Sequence, residues 1–251
     1  MVADGPGAIP EPTAPHLHAR WARPSGASVR FDDAQPVTVI LVRHGETEMT
    51  VSRGYSGSGE PGPSLTARGE EQAAAAGELV RRVGRDLWGD IPFPTELIAS
   101  PMVRTRETAG IMGDRLGLTP CVDAAFQEAD FGVWQGLTAE QIDERWPGEL
   151  EPWHTRGDVR PARGESIADV GQRIGTGLDG LLAAGTDRTV VVVSHAVVIR
   201  AALGRTMGAQ PGSWSQLRVA PASVSIIRLF EDKRDEVAVV GAPSEGWVWR
   251  G

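Results

Sequence analysis

Residues 37–47 read VTVILVRHGET. The first six residues are an uninterrupted run of apolar or β-branched side chains, which predicts a buried strand. The step Arg43-His44-Gly45 follows directly, so it lies at the carboxyl end of that strand. Ligands of open α/β sheets bind at this end of the strands, and a glycine lets another group approach the backbone closely. A histidine there, beside an arginine and a glycine, is set up to meet a phosphate. The tripeptide alone is not specific, and its position and the partners farther along the chain decide the interpretation.

Composition narrows the class of protein. The chain has 251 residues, which favours one α/β domain or two small ones. A hydrophobic content of 41% and a charged content of 23% are typical of an ordinary soluble globular protein. The formal net charge of −8 argues against nucleic acid as the main partner, because such binding relies on a basic face. A small anionic substrate is compatible with this charge, since a local cluster of arginines overrides the average.

Cysteine content and hydropathy exclude further classes. Cys121 is the one cysteine, so no intrachain disulfide forms, and nothing resembles a thiolate metal site. No stretch approaches the roughly 20 apolar residues of a membrane helix, and the N-terminus lacks the pattern of a signal peptide. We therefore expect a cytoplasmic protein with no metal, no cofactor and no membrane partner.

The first 36 residues differ from the rest of the chain. Residues 1–36 are rich in Pro, Gly and Ala without periodicity, which is typical of a flexible tail or linker. His16 and His18 form a His-x-His pair there, but no third metal ligand lies near them in the sequence. We expect the folded domain to occupy residues 37–251.

Helix and strand patterns alternate after residue 37. Thr66 is a candidate N-cap of a first helix. Residues 96–100 predict a short strand, and Pro101 then predicts the start of a second helix, because its missing N–H costs little there. Gly117 predicts the end of that helix. The inward positions of the first helix are Ala76, Leu79, Val83 and Leu87.

The second half continues the alternation. Ser166 and Asp169 form an approximate capping box that opens a helix with apolar residues at helical spacing. Residues 189–193 are β-branched or apolar and predict a central strand, followed by His195 and another helix. Further short strands are predicted at residues 121–122, 223–229 and 237–240. The pattern predicts a mostly parallel sheet covered by helices on both faces, a three-layer α/β/α sandwich.

Three polar residues follow predicted strands or begin a helix, and a fourth lies in a loop. His44 and His195 each come directly after a buried strand. Arg104 lies on the first turn of a helix that follows a strand, where a helix N-terminus favours anions. Glu128 lies in a loop with aromatic residues and glycines. Taken singly, each has an ordinary structural interpretation, and their common relation to one sheet edge is what indicates a site.

Together these segments resemble the histidine phosphatase superfamily, which has the phosphoglycerate mutase-like fold. They span about residues 37–230 in the order expected of the family. The Tyr55-Ser56-Gly57 step is most similar to the acid phosphatase and α-ribazole phosphatase branch. The matching segments are residues 41–47, 64–73, 100–109, 128–136, 164–166 and 193–196.

The resemblance implies a metal-independent phosphomonoester hydrolase that forms a phosphohistidine. His44 would be the nucleophile, and Glu128 would protonate the leaving oxygen and later deprotonate water. Arg43, Arg104 and a protonated His195 would bind the phosphate oxygens. A neutral imidazole is a nucleophile near pH 7 because its free pKa is about 6.5, and we expect a backbone hydrogen bond to fix its tautomer. The pKa of Glu128 should be raised by burial or by the substrate.

The chain departs from the family pattern beside the nucleophile. Thr50 stands where many members have asparagine, so its phosphate contact would be weaker. Arg53 lies one residue before the position, here Gly54, where an arginine is usual. Ser56 and Gly57 are retained. The accessory phosphate-binding candidates are therefore Thr50, Arg53, Ser56 and Gly57.

Two alternative functions stay open. A cofactor-dependent phosphoglycerate mutase would carry a long basic insertion before the second histidine, and only residues 131–194 intervene here, so we favour a phosphatase. A noncatalytic phospholigand-binding module is disfavoured by the intact set of five residues. The segment from Trp146 to Arg163 is either a substrate flap or an exposed irregular loop. The sequence names neither the phosphate ester nor the choice between monomer and homodimer.

Overall fold

Residues 34–245 are described in a computed structural model of the chain. They contain a six-stranded sheet with the strand order β3-β2-β4-β1-β5-β6. Its strands are β1 (Val37–Arg43), β2 (Glu96–Ala99), β3 (Cys121–Val122), β4 (Arg188–Ser194), β5 (Val224–Leu229) and β6 (Glu236–Ala242). β1 to β4 form a parallel block. β5 pairs antiparallel with β1, and β6 pairs antiparallel with β5. The predicted, mostly parallel sheet is confirmed.

Seven α-helices accompany this sheet within residues 34–245. They are α1 (Glu48–Ser52), α2 (Ala67–Arg81), α3 (Val103–Leu116), α4 (Ala139–Arg145), α5 (Leu150–Arg156), α6 (Ile167–Ala183) and α7 (Ala196–Thr206). The predicted caps are present. The Thr66 hydroxyl accepts from the backbone N–H of Gly69, and Ser166 forms a capping box with Asp169. Gly117 ends α3 in the left-handed region at φ 69°.

Alternation along the central strand β1 separates two apolar layers. Val39 and Leu41 pack into a core with α6 and α7. Ile40 and Val42 point to the other face, into a core with α2 and α3. A sheet buried on both faces explains why β1 reads as a continuous apolar run rather than an alternating one. The three-layer α/β/α sandwich is confirmed.

Several boundaries differ from those predicted. α3 begins at Val103 after an N-cap at Met102, so Pro101 precedes the helix rather than starting it. α2 ends at Arg81. Val83 and Leu87 therefore lie beyond it, in a turn closed by a bridge between them.

The N-terminal predictions fall mostly outside the described residues. His16 and His18 lie there, as does nearly all of the predicted tail of residues 1–36. The domain boundary at residue 37 stays a prediction. Near it, the carbonyl of Pro36 accepts a hydrogen bond from Asp187 N at 2.9 Å. Between residues 34 and 245, no helix has the length and apolar character needed to cross a membrane.

Candidate active site

The two histidines emerge side by side from the two central parallel strands. β1 and β4 pair with Arg43 opposite Ser194, so His44 and His195 both follow the last paired residues. The backbone N–H of His44 donates to the carbonyl of Ser194 at 3.0 Å and extends the pairing by one step. The imidazole ring centroids are 5.3 Å apart. The sheet register therefore fixes the spacing of the two rings.

A backbone carbonyl fixes the tautomer of His44. Its Nδ1 lies 2.7 Å from the carbonyl oxygen of Gly45. A carbonyl only accepts, so Nδ1 carries the proton and Nε2 keeps its lone pair. Burial and the nearby Arg104 and Arg43 hold the pKa of His44 well below its usual value. The ring is thus neutral near pH 7, as a nucleophile requires, and the expected backbone hydrogen bond is present.

His195 is completely buried, and its ring contacts the hydroxyl of Ser100. Its Nε2 lies 2.6 Å from the hydroxyl of Ser100, while its Nδ1 is buried without a hydrogen-bond partner in the described residues. Burial and the positive charge of Arg104 hold the pKa of His195 well below its usual value. The imidazolium expected around a bound phosphate stays a prediction. A neutral ring that accepts from Ser100 presents Nδ1–H as a hydrogen-bond donor instead.

Two arginines flank the histidine pair. The Nη1 of Arg43 donates to Val219 O at 2.9 Å, and the Nη2 of Arg104 donates to Ser56 O at 2.9 Å. Arg104 is only 1% exposed although its helix position resembles a surface one. Burial lowers the pKa of each guanidinium to about 10. Both remain charged near pH 7.

Buried polar atoms without partners concentrate at this place. Across residues 34–245 nine buried side-chain nitrogen or oxygen atoms have no hydrogen-bond partner. Five of the nine belong to four residues of the site: Arg43 Nε, Ser56 Oγ, Arg104 Nε, Arg104 Nη1 and His195 Nδ1. Buried polar groups in folded proteins are nearly always satisfied. Arg43, Ser56 and Arg104 line a common cavity, where a ligand rich in acceptor oxygens would supply partners for their atoms.

Glu128 is the carboxylate of the same site and is 6% exposed. Its two oxygens accept from the backbone N–H groups of Ala129 at 3.0 Å and Val197 at 3.5 Å. Burial is the largest influence and raises the pKa of Glu128, against the opposing effect of Arg104 and Arg43. A carboxyl group with a raised pKa is suited to hold and release a proton near neutral pH.

Gly45 allows the nucleophile loop to pack against α2. A Cβ at position 45 would overlap the carbonyl of Gly69, and a Cβ at position 69 would overlap the carbonyl of Glu46. The two backbones therefore touch directly. The close approach predicted at Gly45 is thus to the first turn of a helix.

Gly62 packs in the same way against the guanidinium of Arg104. It has φ of +80°, and a Cβ there would overlap Nη1 of Arg104. We expect Gly62→Ala to lower kcat/KM for a phosphate ester about 10²-fold, because small displacements of a positioning group are that costly. Steady-state kinetics checks this.

Gly117→Ala is the matched control for that substitution. Gly117 has φ of +69°, and an added Cβ meets nothing within 4 Å. Both variants should lose about 1–2 kcal/mol of stability from the left-handed backbone. Equal activities of the two variants would contradict a role of Gly62 in placing Arg104.

Four of the five central residues, Arg43, His44, Arg104 and Glu128, line a cavity of about 340 Å³. The fully buried His195 is not among the residues that line it. Among the accessory candidates, Ser56, Thr50 and Arg53 line it. Thr50 also closes a capping box with Thr47. Gly57 does not line the cavity, because it packs on Ala129 and donates its N–H to Oε1 of Gln135 at 2.8 Å. The geometry does not support the phosphate contact expected of Gly57.

The segment from Trp146 to Arg163 is more ordered than an irregular loop, since it contains α5. His154 is its one residue on the cavity. Trp153 is buried in an aromatic cluster with Tyr55, Phe131 and Trp134. Two of its three exposed arginines pair locally, Arg156 with Asp158 and Arg160 with Asp169, and the exposed Arg163 does not line the cavity. Trp134 is fully buried, in agreement with the packing role expected from sequence.

One cationic residue of the cavity was missed by the sequence argument. Arg200 lines the cavity from α7 together with Ala196 and Val197. Its signal was present but weak: the spacing i, i+1, i+4 places the three residues on one face of a helix that begins beside His195.

Two curated relatives each match most of this chain. A bifunctional protein of Mycobacterium tuberculosis is 35% identical over 206 residues, which are 82% of this chain and 54% of that relative. The chain thus spans about half the length of this curated relative. Glucosyl-3-phosphoglycerate phosphatase of Mycolicibacterium vanbaalenii is 31% identical over 186 residues, with 71% of this chain and 78% of the relative covered.

A solved structure and a family model complete the comparison. The complex of mycobacterial glucosyl-3-phosphoglycerate phosphatase with inorganic phosphate aligns with a TM-score of 0.71 and 29% identity, covering 84% of this chain and 100% of that one. The model of the histidine phosphatase superfamily, branch 1, matches residues 39–240. The resemblance inferred from the motifs is thereby confirmed, and the chain belongs to the histidine phosphatase superfamily.

Proposed function

We propose that the protein is a phosphomonoester hydrolase that transfers the phosphoryl group of a small metabolite to Nε2 of His44. The observation that carries this proposal is the set of five unpartnered buried atoms around two neighbouring imidazoles. The phosphatase names of relatives that cover most of this chain support it. The cavity of about 340 Å³ fits a small ester, since it lies at the lower end of ligand pockets.

Phosphate binding is proposed for Arg43, Arg104, His195 and Ser56. The guanidinium groups supply two positive charges, and the neutral His195 supplies Nδ1–H. A phosphate ester of charge about −1.5 to −2 balances the two arginines. Fixed donors in a buried site stabilise the equatorial oxygens during transfer without having to reorganise.

His44 and Glu128 account for the bond changes and proton transfers of the proposed reaction. The Nε2 lone pair of His44 attacks phosphorus, and the bond to the leaving oxygen breaks as Glu128 donates its proton to that oxygen. Water then attacks the phosphohistidine, Glu128 takes back a proton, and inorganic phosphate leaves from a regenerated His44. Every proton in this cycle has a source and a destination among these residues and water, which supports a metal-independent mechanism.

The segment between the acid residue and the second histidine favours hydrolysis over mutase chemistry. A mutase must hold its intermediate and exclude water. Two of the three exposed arginines of residues 146–163 are paired with local aspartates, and none of the three lines the cavity. For the same enzyme we propose a small phosphate ester rather than nucleic acid as partner, and a cytoplasmic location.

The test is hydrolysis of p-nitrophenyl phosphate in the presence of EDTA. We expect wild-type turnover, and loss of at least about 10³-fold in His44→Ala, because the covalent route is removed. An acid-labile phosphoenzyme should be trapped from the wild type and be absent from the variant. Circular dichroism of the variant checks that it folds. Undiminished turnover in His44→Ala, or no turnover of any ester between pH 5 and 8, would refute the proposal.

A further inference from the structure

One wall of the cavity consists of residues that have no role in the proposed phosphoryl transfer. We call it the leaving-group wall and define it as Tyr55, His154 and Arg200, all of which line the cavity. Arg200 is partly buried on α7. This wall is where the part of the substrate other than phosphate has to be accommodated.

Arg200 is fixed at one nitrogen and unengaged at two. Its Nε donates to the carbonyl of Leu217 at 2.7 Å. Within residues 34–245 its terminal nitrogens make no hydrogen bond and no ion pair with a carboxylate. A guanidinium taken partly out of water without a hydrogen-bonded anion is unfavourable, and burial lowers the pKa of Arg200 against the opposing effect of Glu128. The arrangement therefore leaves a planar pair of N–H donors for a ligand.

The other two residues of the wall, Tyr55 and His154, are neutral and form a hydrogen bond with each other. The Tyr55 hydroxyl lies 3.0 Å from Nε2 of His154, and Nδ1 of His154 lies 3.1 Å from the hydroxyl of Ser215. Ser215 donates to the His154 carbonyl, so it accepts from Nδ1–H, and Nε2 accepts from Tyr55. Burial and Arg200 lower the pKa of His154. The positive charge of this wall is that of Arg200.

The charges of the cavity then match a particular kind of ester. Arg43 and Arg104 balance a phosphate dianion, and Glu128 is neutral in the form that donates its proton to the leaving oxygen. Arg200 and the exposed Arg53 are two further cations on the cavity. Arg200 is the partly buried one with two unengaged nitrogens, and one carboxylate would balance it with bidentate geometry. We propose that Arg200 binds a carboxylate on the leaving group, so that the enzyme prefers phosphate esters of small hydroxy acids.

This inference rests on the proposed function, since it assigns the leaving-group side of the same site. The test compares 3-phosphoglycerate with glycerol 3-phosphate, which differ in one carboxylate on the same three-carbon skeleton. We expect kcat/KM of the wild type to favour 3-phosphoglycerate by about 10- to 100-fold, the range of a charge-assisted hydrogen bond. Arg200→Gln should bring the ratio near one, and Arg200→Lys should restore part of it.

Using a ratio of two substrates removes any general loss of activity from the result. Arg205→Gln is the matched control, because it removes the same charge from the same helix at an exposed position that does not line this cavity. It should keep the wild-type ratio. A wild-type ratio near one, an unchanged ratio in Arg200→Gln, or a stronger Arg200-dependent preference for an alkanediol bisphosphate would each overturn the carboxylate assignment.

The two proposals fail differently. If p-nitrophenyl phosphate is hydrolysed through His44 but the ratio is near one, the function stands and the assignment of Arg200 is wrong. If no ester is hydrolysed, the function is wrong, and equilibrium binding of the same two compounds decides the assignment. Tighter binding of 3-phosphoglycerate that Arg200→Gln abolishes supports it, and equal binding refutes it.

Discussion

Glu128→Gln is expected to lower kcat/KM for alkyl phosphates about 10³-fold, but kcat/KM for p-nitrophenyl phosphate less than about tenfold. The carboxyl group of Glu128 is buried and has a raised pKa, so it carries the proton that an alkoxide needs in order to leave. p-Nitrophenolate is a stable anion and departs without that proton. Steady-state kinetics with both substrate types measures the difference.

The same variant has two further signatures. The glutamine cannot deprotonate water, so the phosphohistidine should accumulate, and a burst of p-nitrophenol should precede slow turnover. In the wild type, the acid form of Glu128 predominates below its raised pKa, so kcat/KM for alkyl phosphates falls as pH rises through that pKa. This alkaline fall should be missing in Glu128→Gln. Equal losses for both substrates would show that Glu128 is not the proton donor.

Arg104→Met is expected to abolish activity and to stabilise the fold. Arg104 is almost fully buried, and its Nε and Nη1 have no hydrogen-bond partner in the described residues. Removing these donors from the developing charge should lower kcat/KM by at least about 10³-fold. The substitution removes the hydrogen bond from Nη2 to Ser56 O, but it replaces a buried guanidinium with two unpartnered nitrogens by an apolar side chain of similar volume. The free energy of unfolding should therefore rise by about 1–2 kcal/mol.

Denaturant unfolding in phosphate-free buffer measures the stability change. Arg106→Met, two residues along α3 at an exposed position, should leave both activity and stability near wild type. Inorganic phosphate at 100 times its Kd should stabilise the wild type by about 2.7 kcal/mol and the Arg104→Met variant much less. If the free energy of unfolding of Arg104→Met in phosphate-free buffer is lower than that of the wild type, Arg104 stabilises the fold and the prediction is wrong.

Sequence was sufficient for the strand ends and for the residues attached to them. Apolar runs bounded at Arg43 and Ser194 define β1 and β4, and parallel strands bring their carboxyl ends to one edge. That placed His44 and His195 together before any coordinates were known. Cap residues Thr66 and Ser166 located two helices for an equally local reason.

Properties that depend on tertiary packing, such as a pKa or the exposure of a helical arginine, could not be predicted from the sequence. The lowered pKa of His195 follows from complete burial beside Arg104, and its ring is held by Ser100, which is 95 residues distant in the chain. Arg200 reads as an ordinary helical arginine until the helix is docked against the cavity. The start of α3 was misplaced by two residues because Pro101 and the extended N-cap residue Met102 form a bend before the helix.

The backbone pairing of Arg43 with Ser194 has a consequence for how the enzyme loses activity. The two imidazoles are carried by the first residues beyond this pair, on the most deeply buried strands of the sheet. Local fraying at the periphery leaves such strands intact, because they open only with the whole cooperative unit. Inactivation by heat or denaturant should therefore coincide with global unfolding, so that turnover itself reports the folded fraction of the molecule.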